Sequence, residues 1–365
     1  MIETVKKIIS NFNISGEIIE VKSIITGHIN TTYRVTVDES GVNKKYTLQT
    51  INKYVFKNPA AVMENILAVT EFLKEKIKSE GGDPDRECLT VIKASNGLPY
   101  YEDAEGQFWR LYIFVDHSYT VDTVETPAQL KSAGEGFGKF QAMLSNFPMN
   151  NLIETIPSFH DTALRFEQLM DAVKADPLGR AAGVKDEINF FVKRHDEMCS
   201  LVKMTEEGVL PLRVVHNDTK FNNILIDEAS GEALCVIDLD TVMPGLSVLD
   251  FGDAIRFAAN SATEDETDLD KVYIDMTLYE AFADGFMSKI GKSLTRCEIE
   301  NMPLGAKVIT MELASRFLAD HILGDKYFKI HREGQNLDRA RCQIKLAISM
   351  EENMNKMTEI IEKYL

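Results

Sequence analysis

The chain changes texture once, near Pro127, and that change limits the folds open to it. Before Pro127, short alternating apolar runs recur. Residues 17–25, 33–37 and 45–51 read as strands, with a Gly41-Val42-Asn43 turn between the last two. One helix interrupts them. Asn58 is a suitable N-cap and Pro59 stands at the first helical position. Val62, Ile66, Val69, Leu73 and Ile77 then recur at steps of three and four, until Gly81-Gly82-Asp83-Pro84 stops the pattern. Two more strand runs, 89–93 and 108–115, follow. Beyond Pro127, apolar residues fall at helical spacing over 127–144, 162–173, 185–204, 269–290, 302–323 and 337–364. The β texture returns only in 212–237. Strands first and helices afterwards predict an α+β fold, not a doubly wound sheet. A single core seldom grows beyond about 250–300 residues. The 365 residues are therefore expected to form a small β-rich lobe over 1–115, a connector over 116–126 and a larger helical lobe over 127–365.

Charge and cysteine content narrow the function. Lys and Arg number 40 against 57 Asp and Glu, a formal net charge of −17. That surplus repels a phosphate backbone and an anionic membrane, so neither nucleic acid nor a membrane is an expected partner. No apolar run is long enough to span a bilayer. The first ten residues carry two adjacent lysines with no apolar block after them, so they read as a short amphipathic helix instead of a secretion signal. Cys88, Cys199, Cys235, Cys297 and Cys342 are odd in number and far apart, with no Cys-x-x-Cys. They are expected to be reduced thiols in a cytoplasm.

The chemistry concentrates in 212–240. Two apolar runs, 224–226 and 233–237, flank the polar turn 227–232 and form a hairpin. A four-residue loop at 229–232 pairs Ile226 with Cys235 and sets Asn223 opposite Asp238. Two oxygen-bearing side chains then meet at the open end, and Mg²⁺ takes oxygen ligands, one or two of them from protein. Asp218 precedes Asn223 by five residues, so the loop between them can bring its carboxylate near the metal without ligation. There it can orient an acceptor hydroxyl and receive its proton, as phosphoryl transfer requires. His216 reads as a packing and hydrogen-bonding residue, since a base on the strand before Asp218 would point away from it. For Asp240 two readings stay open: support behind the metal site, or stabilisation of the 241–245 loop.

His216-Asn217-Asp218…Asn223 with Ile237-Asp238-Leu239-Asp240 resembles the catalytic loop and metal-binding motif of the aminoglycoside phosphotransferase and choline kinase superfamily. The resemblance implies a bilobal, protein-kinase-like fold. A closer match is to the N-acetylhexosamine 1-kinase family. It runs through Gly27-His28-Ile29-Asn30-Thr31-Thr32-Tyr33, Leu48-Gln49, the string 237–245, Asp250-Phe251-Gly252-Asp253, Ser315-Arg316-Phe317-Leu318, Tyr327-Phe328-Lys329 and 336–341, over about residues 15–350. By resemblance, Asp218 is the catalytic aspartate at the acceptor, and Asn223 and Asp238 are the Mg²⁺ ligands. Asp250 braces the catalytic loop, and Arg316 and Tyr327 hold the sugar. Gly27, His28 and Asn30 belong to the loop that covers the nucleotide, and Phe114 and Val115 to the connector that meets adenine. Gln49 stands where protein kinases carry a phosphate-binding lysine, so a cation from elsewhere is needed or charge compensation is weaker. Asn217 replaces the arginine that reads a phosphorylated activation loop. The implied activity is Mg·ATP-dependent phosphorylation of the anomeric hydroxyl of a free sugar, an N-acetylhexosamine. The alternatives are an aminoglycoside, choline or homoserine kinase, or a nucleotide-binding pseudokinase without turnover. Monomer and homodimer both stay open.

Overall fold

The computed structural model describes residues 2–24 and 30–365, so the expected phosphate-covering residues Gly27 and His28 lie outside the described residues. The chain divides into two compact units. One gathers Met1–Thr120, Asn146–Pro157 and Ile224–Met243, and the other Val121–Ser145, Ser158–Asn223 and Pro244–Leu365. The expected division cut the chain into consecutive lobes. In the structure two later segments, the hairpin among them, group with the N-terminal unit.

The first unit is built on an antiparallel sheet of β1 (Glu17–Ile24), β2 (Thr32–Glu39), β3 (Val42–Ile51), β4 (Val91–Ile92), β5 (Tyr101–Glu102) and β6 (Phe108–Ile113). Its order is β1-β2-β3-β6-β4, with β5 on β6. The β2–β3 reversal uses Ser40 and Gly41, whose φ angles of 57° and 87° suit a tight hairpin turn. Val42 and Asn43, expected in that turn, are strand residues. Helix α1 (Ile2–Ile9) packs Val5, Ile8 and Ile9 on Val35, Val37, Leu48 and Leu111 of the sheet. Helix α2 (Pro59–Ser79) starts as expected: the Asn58 side chain accepts the Ala61 N–H at 3.2 Å. Its five periodic apolar residues are all buried. Asp83 then caps a short helix, α3 (Pro84–Glu87), in a stretch that the sequence reading used only as a terminator.

The hairpin strands Ile224–Asp227 and Ala233–Val236 pair with each other, and the first also with β7 (Ser118–Tyr119). Their register corrects the expected one. Val236 faces Ile224 and Cys235 faces Leu225, so Asn223 continues opposite Ile237, one residue short of Asp238. The cause is the turn. The Asp227 carboxylate accepts the N–H groups of Ala229 and Ser230, and Gly231 follows at φ 71°. The Asp227 N–H donates to the Glu232 carbonyl at 2.9 Å, so the chain turns over 228–231, one position earlier than expected, and a bulge between Ala233 and Cys235 takes back one residue of the offset.

The second unit is helical: α4 (Pro127–Met143), α5 (Thr162–Ala175), α6 (Lys185–Lys193), α7 (His195–Met198), α8 (Ser200–Glu206), α9 (Ser247–Ala258), α10 (Met276–Ile290), α11 (Arg296–Glu300), α12 (Met302–Leu323) and α13 (Gln335–Glu362). Thr126 and Gln129 form a capping box on α4. The single helix expected over 185–204 is broken at Arg194 and Cys199 into three. The one expected from 269 starts at Met276, where the Asp275 side chain caps it. Helix α9 had no forecast. Eleven of its twelve residues are buried, so no polar face marks a period. Helices α4 and α10 touch backbone to backbone: a Cβ added to Gly285 would lie 2.0 Å from the Lys131 carbonyl oxygen. Among the described residues no helix is long and apolar enough to cross a membrane. All five cysteines are free thiols, and burial pushes Cys88 up to about 12.

Candidate active site

In the helical unit the strand Arg213–Val215 delivers His216, which is fully buried between the rings of Phe137 and Phe140. His216 Nδ1 accepts the Asp218 N–H at 3.3 Å, a packing and hydrogen-bonding arrangement. Asn217 lies in the left-handed region at φ 63°, which non-glycine residues seldom adopt. The backbone is held there by Asp250 on α9. Its buried carboxylate accepts the N–H groups of His216 and Asn217 at 2.7 Å each, and Gln141 Nε2 at 2.7 Å. Burial holds the Asp250 carboxyl above its usual range, against the pull of these donors. One turn on, Asp253 accepts the Thr219 N–H at 3.0 Å, and the Thr219 hydroxyl donates to the Asp250 carbonyl at 2.6 Å.

This brace presents Asp218, whose side chain is 26 % exposed. Lys220 Nζ lies 2.8 Å from one carboxylate oxygen, and Asn223 Nδ2 donates to the other at 3.2 Å and to the Asp218 carbonyl at 2.9 Å. Burial works to raise the Asp218 pKa, but the Lys220 ammonium outweighs it and keeps the carboxyl below the usual range. Asp218 is thus an ionised acceptor at neutral pH. The Asn223 amide nitrogen is committed to Asp218, so its oxygen is the end suited to a cation. Lys220 escaped the sequence reading, although its place two residues after Asp218 was visible.

The sheet unit carries the other expected residues. Asp238 is exposed and left-handed at φ 58°, just past the hairpin. Asp240 is buried and paired with Arg110, which is itself only 1 % exposed. Arg110 on β6 is the cross-strand partner of Gln49 on β3 and donates Nε to the Gln49 side chain at 3.1 Å, while Gln49 donates to Thr32 at 2.9 Å. Burial by itself would lower the Arg110 pKa; Asp240 raises it instead. Asn30 donates to Asp240 at 3.0 Å and accepts the Asn52 N–H at 3.1 Å, so both ends of its amide are held inside the unit. Asp240 therefore ties β6 and Asn30 to the turn that follows Asp238. At the expected connector Phe114 donates its N–H to the Lys45 carbonyl at 3.0 Å, and the Val115 carbonyl accepts the Ser118 hydroxyl at 2.8 Å. Arg110 carried no signal in the sequence, because its partner lies 130 positions away.

A cavity of about 440 Å³ in the helical unit is lined by Arg165, Arg316, Asp320, Leu323, Tyr327 and Phe328, among others. Arg316 bonds Glu312 at 3.2 Å and approaches the Tyr327 hydroxyl at 3.5 Å. Its guanidinium lies 5.5–5.8 Å from the rings of Phe159, Tyr327 and Phe328. Asp320 accepts the N–H groups of Lys326, Tyr327 and Phe328, each at 2.9 Å, and so shapes the segment that carries Tyr327. Glu312 also bonds His160 at 2.7 Å, and His160 reaches the Asn217 carbonyl at 3.1 Å. Two residues thus connect the cavity wall to the loop that carries Asp218. Among the described residues no group of three or more His, Cys, Asp or Glu side chains forms a metal cage. The two expected metal ligands fall in different units, Asn223 at the end of a helical-unit segment and Asp238 in the sheet unit.

A family model described as the phosphotransferase enzyme family, APH, matches residues 20–283. Among solved structures, the chain is similar to a microcompartment-associated aminopropanol kinase, at 14 % identity and TM-score 0.62 over 98 % of this chain and 99 % of that one. It is similar to an aminoglycoside phosphotransferase from Alicyclobacillus acidocaldarius, at 12 % identity and TM-score 0.64 over 98 % and 96 %. A choline kinase from Cryptosporidium parvum matches at 14 % identity and TM-score 0.58 over 98 % and 97 %. At these identities the likeness establishes the fold, a kinase-like α+β fold with a β-sheet N-terminal region and a helical C-terminal region.

Proposed function

The chain belongs to the APH phosphotransferase family, and from that premise we propose that it is an ATP-dependent small-molecule kinase acting on the anomeric hydroxyl of a free N-acetylhexosamine. Asp218 is the group that receives the acceptor proton: it is ionised, partly exposed and held on a braced loop. Asn223 and Asp238 are the residues assigned to Mg²⁺. When bound, the ion offsets the charge of the transferring phosphate. Arg110 is buried beside Gln49 and neutralised by Asp240, so it fixes the Gln49 side chain and does not replace the phosphate-binding lysine.

The observation that carries the acceptor reading is the cavity lined by Arg316 and Tyr327, tied to the catalytic loop through Glu312 and His160. Guanidinium and phenol groups donate hydrogen bonds to hydroxyl and amide oxygens. An ammonium placed beside Arg165 and Arg316 meets like charge, and of the two carboxylates lining the cavity Asp320 is already bonded to three backbone N–H groups and leaves Asp171, which weighs against choline, amino alcohols and aminoglycosides. The choice of C1 over C6 rests on the resemblance of 237–245, Arg316 and Tyr327 to the hexosamine 1-kinases. The test is ADP release with free hexoses, N-acetylhexosamines, choline, amino alcohols and aminoglycosides. Turnover is expected with an N-acetylhexosamine, is lost with its methyl glycoside, and shows a raised sugar KM in Arg316→Ala. Equal turnover of the methyl glycoside overturns the 1-kinase reading, and turnover of the amines alone overturns the sugar.

A further inference from the structure

We propose that His160, held as an imidazolium between Glu312 and the Asn217 carbonyl, is a positioning residue that fixes the peptide preceding Asp218. The positioning role rests on the reading of Asp218 given above; the charge state of His160 does not.

The argument begins with which atoms can donate. His160 Nε2 lies 3.1 Å from the Asn217 carbonyl oxygen, and Nδ1 lies 2.7 Å from Glu312 Oε2. A backbone carbonyl only accepts hydrogen bonds, so Nε2 carries a proton. An ionised carboxylate also only accepts, so Nδ1 carries one as well. Glu312 is fully buried, and burial favours its neutral form, but three cations converge on it. Besides His160, Arg316 Nη1 lies 3.2 Å from Oε1 and Arg165 Nε lies 3.8 Å from it. They outweigh the burial and hold the Glu312 carboxyl below its usual range. The groups facing His160 are therefore Glu312 and Arg316 on α12, Arg165 on α5, the Asn217 carbonyl on the catalytic loop and the neighbouring Phe159 ring. Burial lowers the His160 pKa and Arg316 opposes its charge, while Glu312 and the Asn217 carbonyl raise it to above the ordinary histidine value.

Position gives the pair its consequence. The Asn217 N–H is held by Asp250, the Asp218 N–H by His216 Nδ1, and the Asn217 carbonyl by His160. The peptide that aims Asp218 is thereby pinned at both its polar atoms, next to a residue in a left-handed conformation that must be held in place. His160 is the contact that deprotonation changes: a neutral ring facing two acceptors can donate to only one. Glu312 binds Arg316 on its other oxygen, so the same carboxylate aligns the cavity wall and the loop.

Two measurements test this. In ¹⁵N-histidine-labelled protein, the His160 signal, assigned by its loss in His160→Gln, is expected to show both ring nitrogens protonated at pH 8. In Glu312→Gln, with burial and Arg316 no longer opposed by that carboxylate, it should titrate at or below the ordinary histidine range. This arm needs no acceptor, so failure to find a sugar substrate overturns the function proposed above and leaves it standing. A neutral His160 at pH 8 in the parent overturns the proposal. In turnover assays His160→Gln should lower kcat by about 10- to 100-fold, since small misplacements of a reacting group cost that much. The KM for ATP should hold, and an alkaline fall in kcat present in the parent should disappear. Glutamine presents its own oxygen to Glu312, so the double variant His160→Gln/Glu312→Gln, in which two amides can pair, should recover part of the rate. Parent-like kcat and pH profile in a folded His160→Gln overturns the positioning role, as does a double variant no better than the single one.

Discussion

Asp218 depends on its neighbours for its charge. Lys220 at 2.8 Å holds its pKa below the carboxylate range against the pull of burial. A group whose pKa is depressed in the fold contributes above that pKa and stops contributing as pH falls through it. The acid limb of kcat is therefore expected below the pH of an ordinary aspartate, and Lys220→Met should move it upward. Asp218→Asn keeps the shape and removes the proton acceptor. It should cut kcat roughly 10²–10⁴-fold with little change in ATP affinity. A pH–rate series on the parent and both variants checks this, and wild-type turnover in Asp218→Asn rejects the assignment. Asp240, five residues after Cys235, shows the opposite use of a carboxylate: buried, salt-bridged to Arg110 and committed to structure.

Helix α12 serves three jobs from one buried face. Glu312 reaches His160, Arg316 lines the cavity, and Asp320 collects three successive backbone N–H groups from 326–328. Each such hydrogen bond is worth about 1 kcal/mol net, and Lys326 and Tyr327 are exposed enough for water to replace Asp320. Asp320→Ala should therefore leave the melting temperature within a few degrees of the parent. It should raise the acceptor KM by about tenfold, because Tyr327 loses its fixed backbone, and the ATP KM should not move. A matching rise in the ATP KM would place Tyr327 outside acceptor binding. Helix α9 works in the same manner on the catalytic loop, with Asp250 and Asp253 one turn apart.

For the whole molecule, ligand binding and stability are linked. A ligand that binds only the folded chain adds about 2.7 kcal/mol at a hundred times its Kd. Mg·ATP should raise the melting temperature of the parent, and excess EDTA should remove most of that rise. Asp238→Ala should abolish it and Asn223→Ala should reduce it. Differential scanning fluorimetry reads all four conditions, and a full shift in both variants rejects Asn223 and Asp238 as metal ligands. How much of the molecule could be read beforehand follows a physical line. The order of strands and helices, the Asn58 cap, the bounds of α12 and the spacing of Asp218, Asn223 and Asp238 were legible, because period, caps and motif spacing are local in the chain. Helix α9 was not, because burial on all sides erases the period. The hairpin register was not, because the Asp227 side chain closes the turn one position early and a bulge follows it at Ala233–Cys235. The partnerships of Arg110 with Asp240 and of His160 with Glu312 join residues 130 and 152 positions apart. A chain with 97 acidic and basic side chains offers too many equivalent partners for sequence to select among them. Burial makes the selection, because a charge removed from water must meet its partner at the one place where the fold has brought them together.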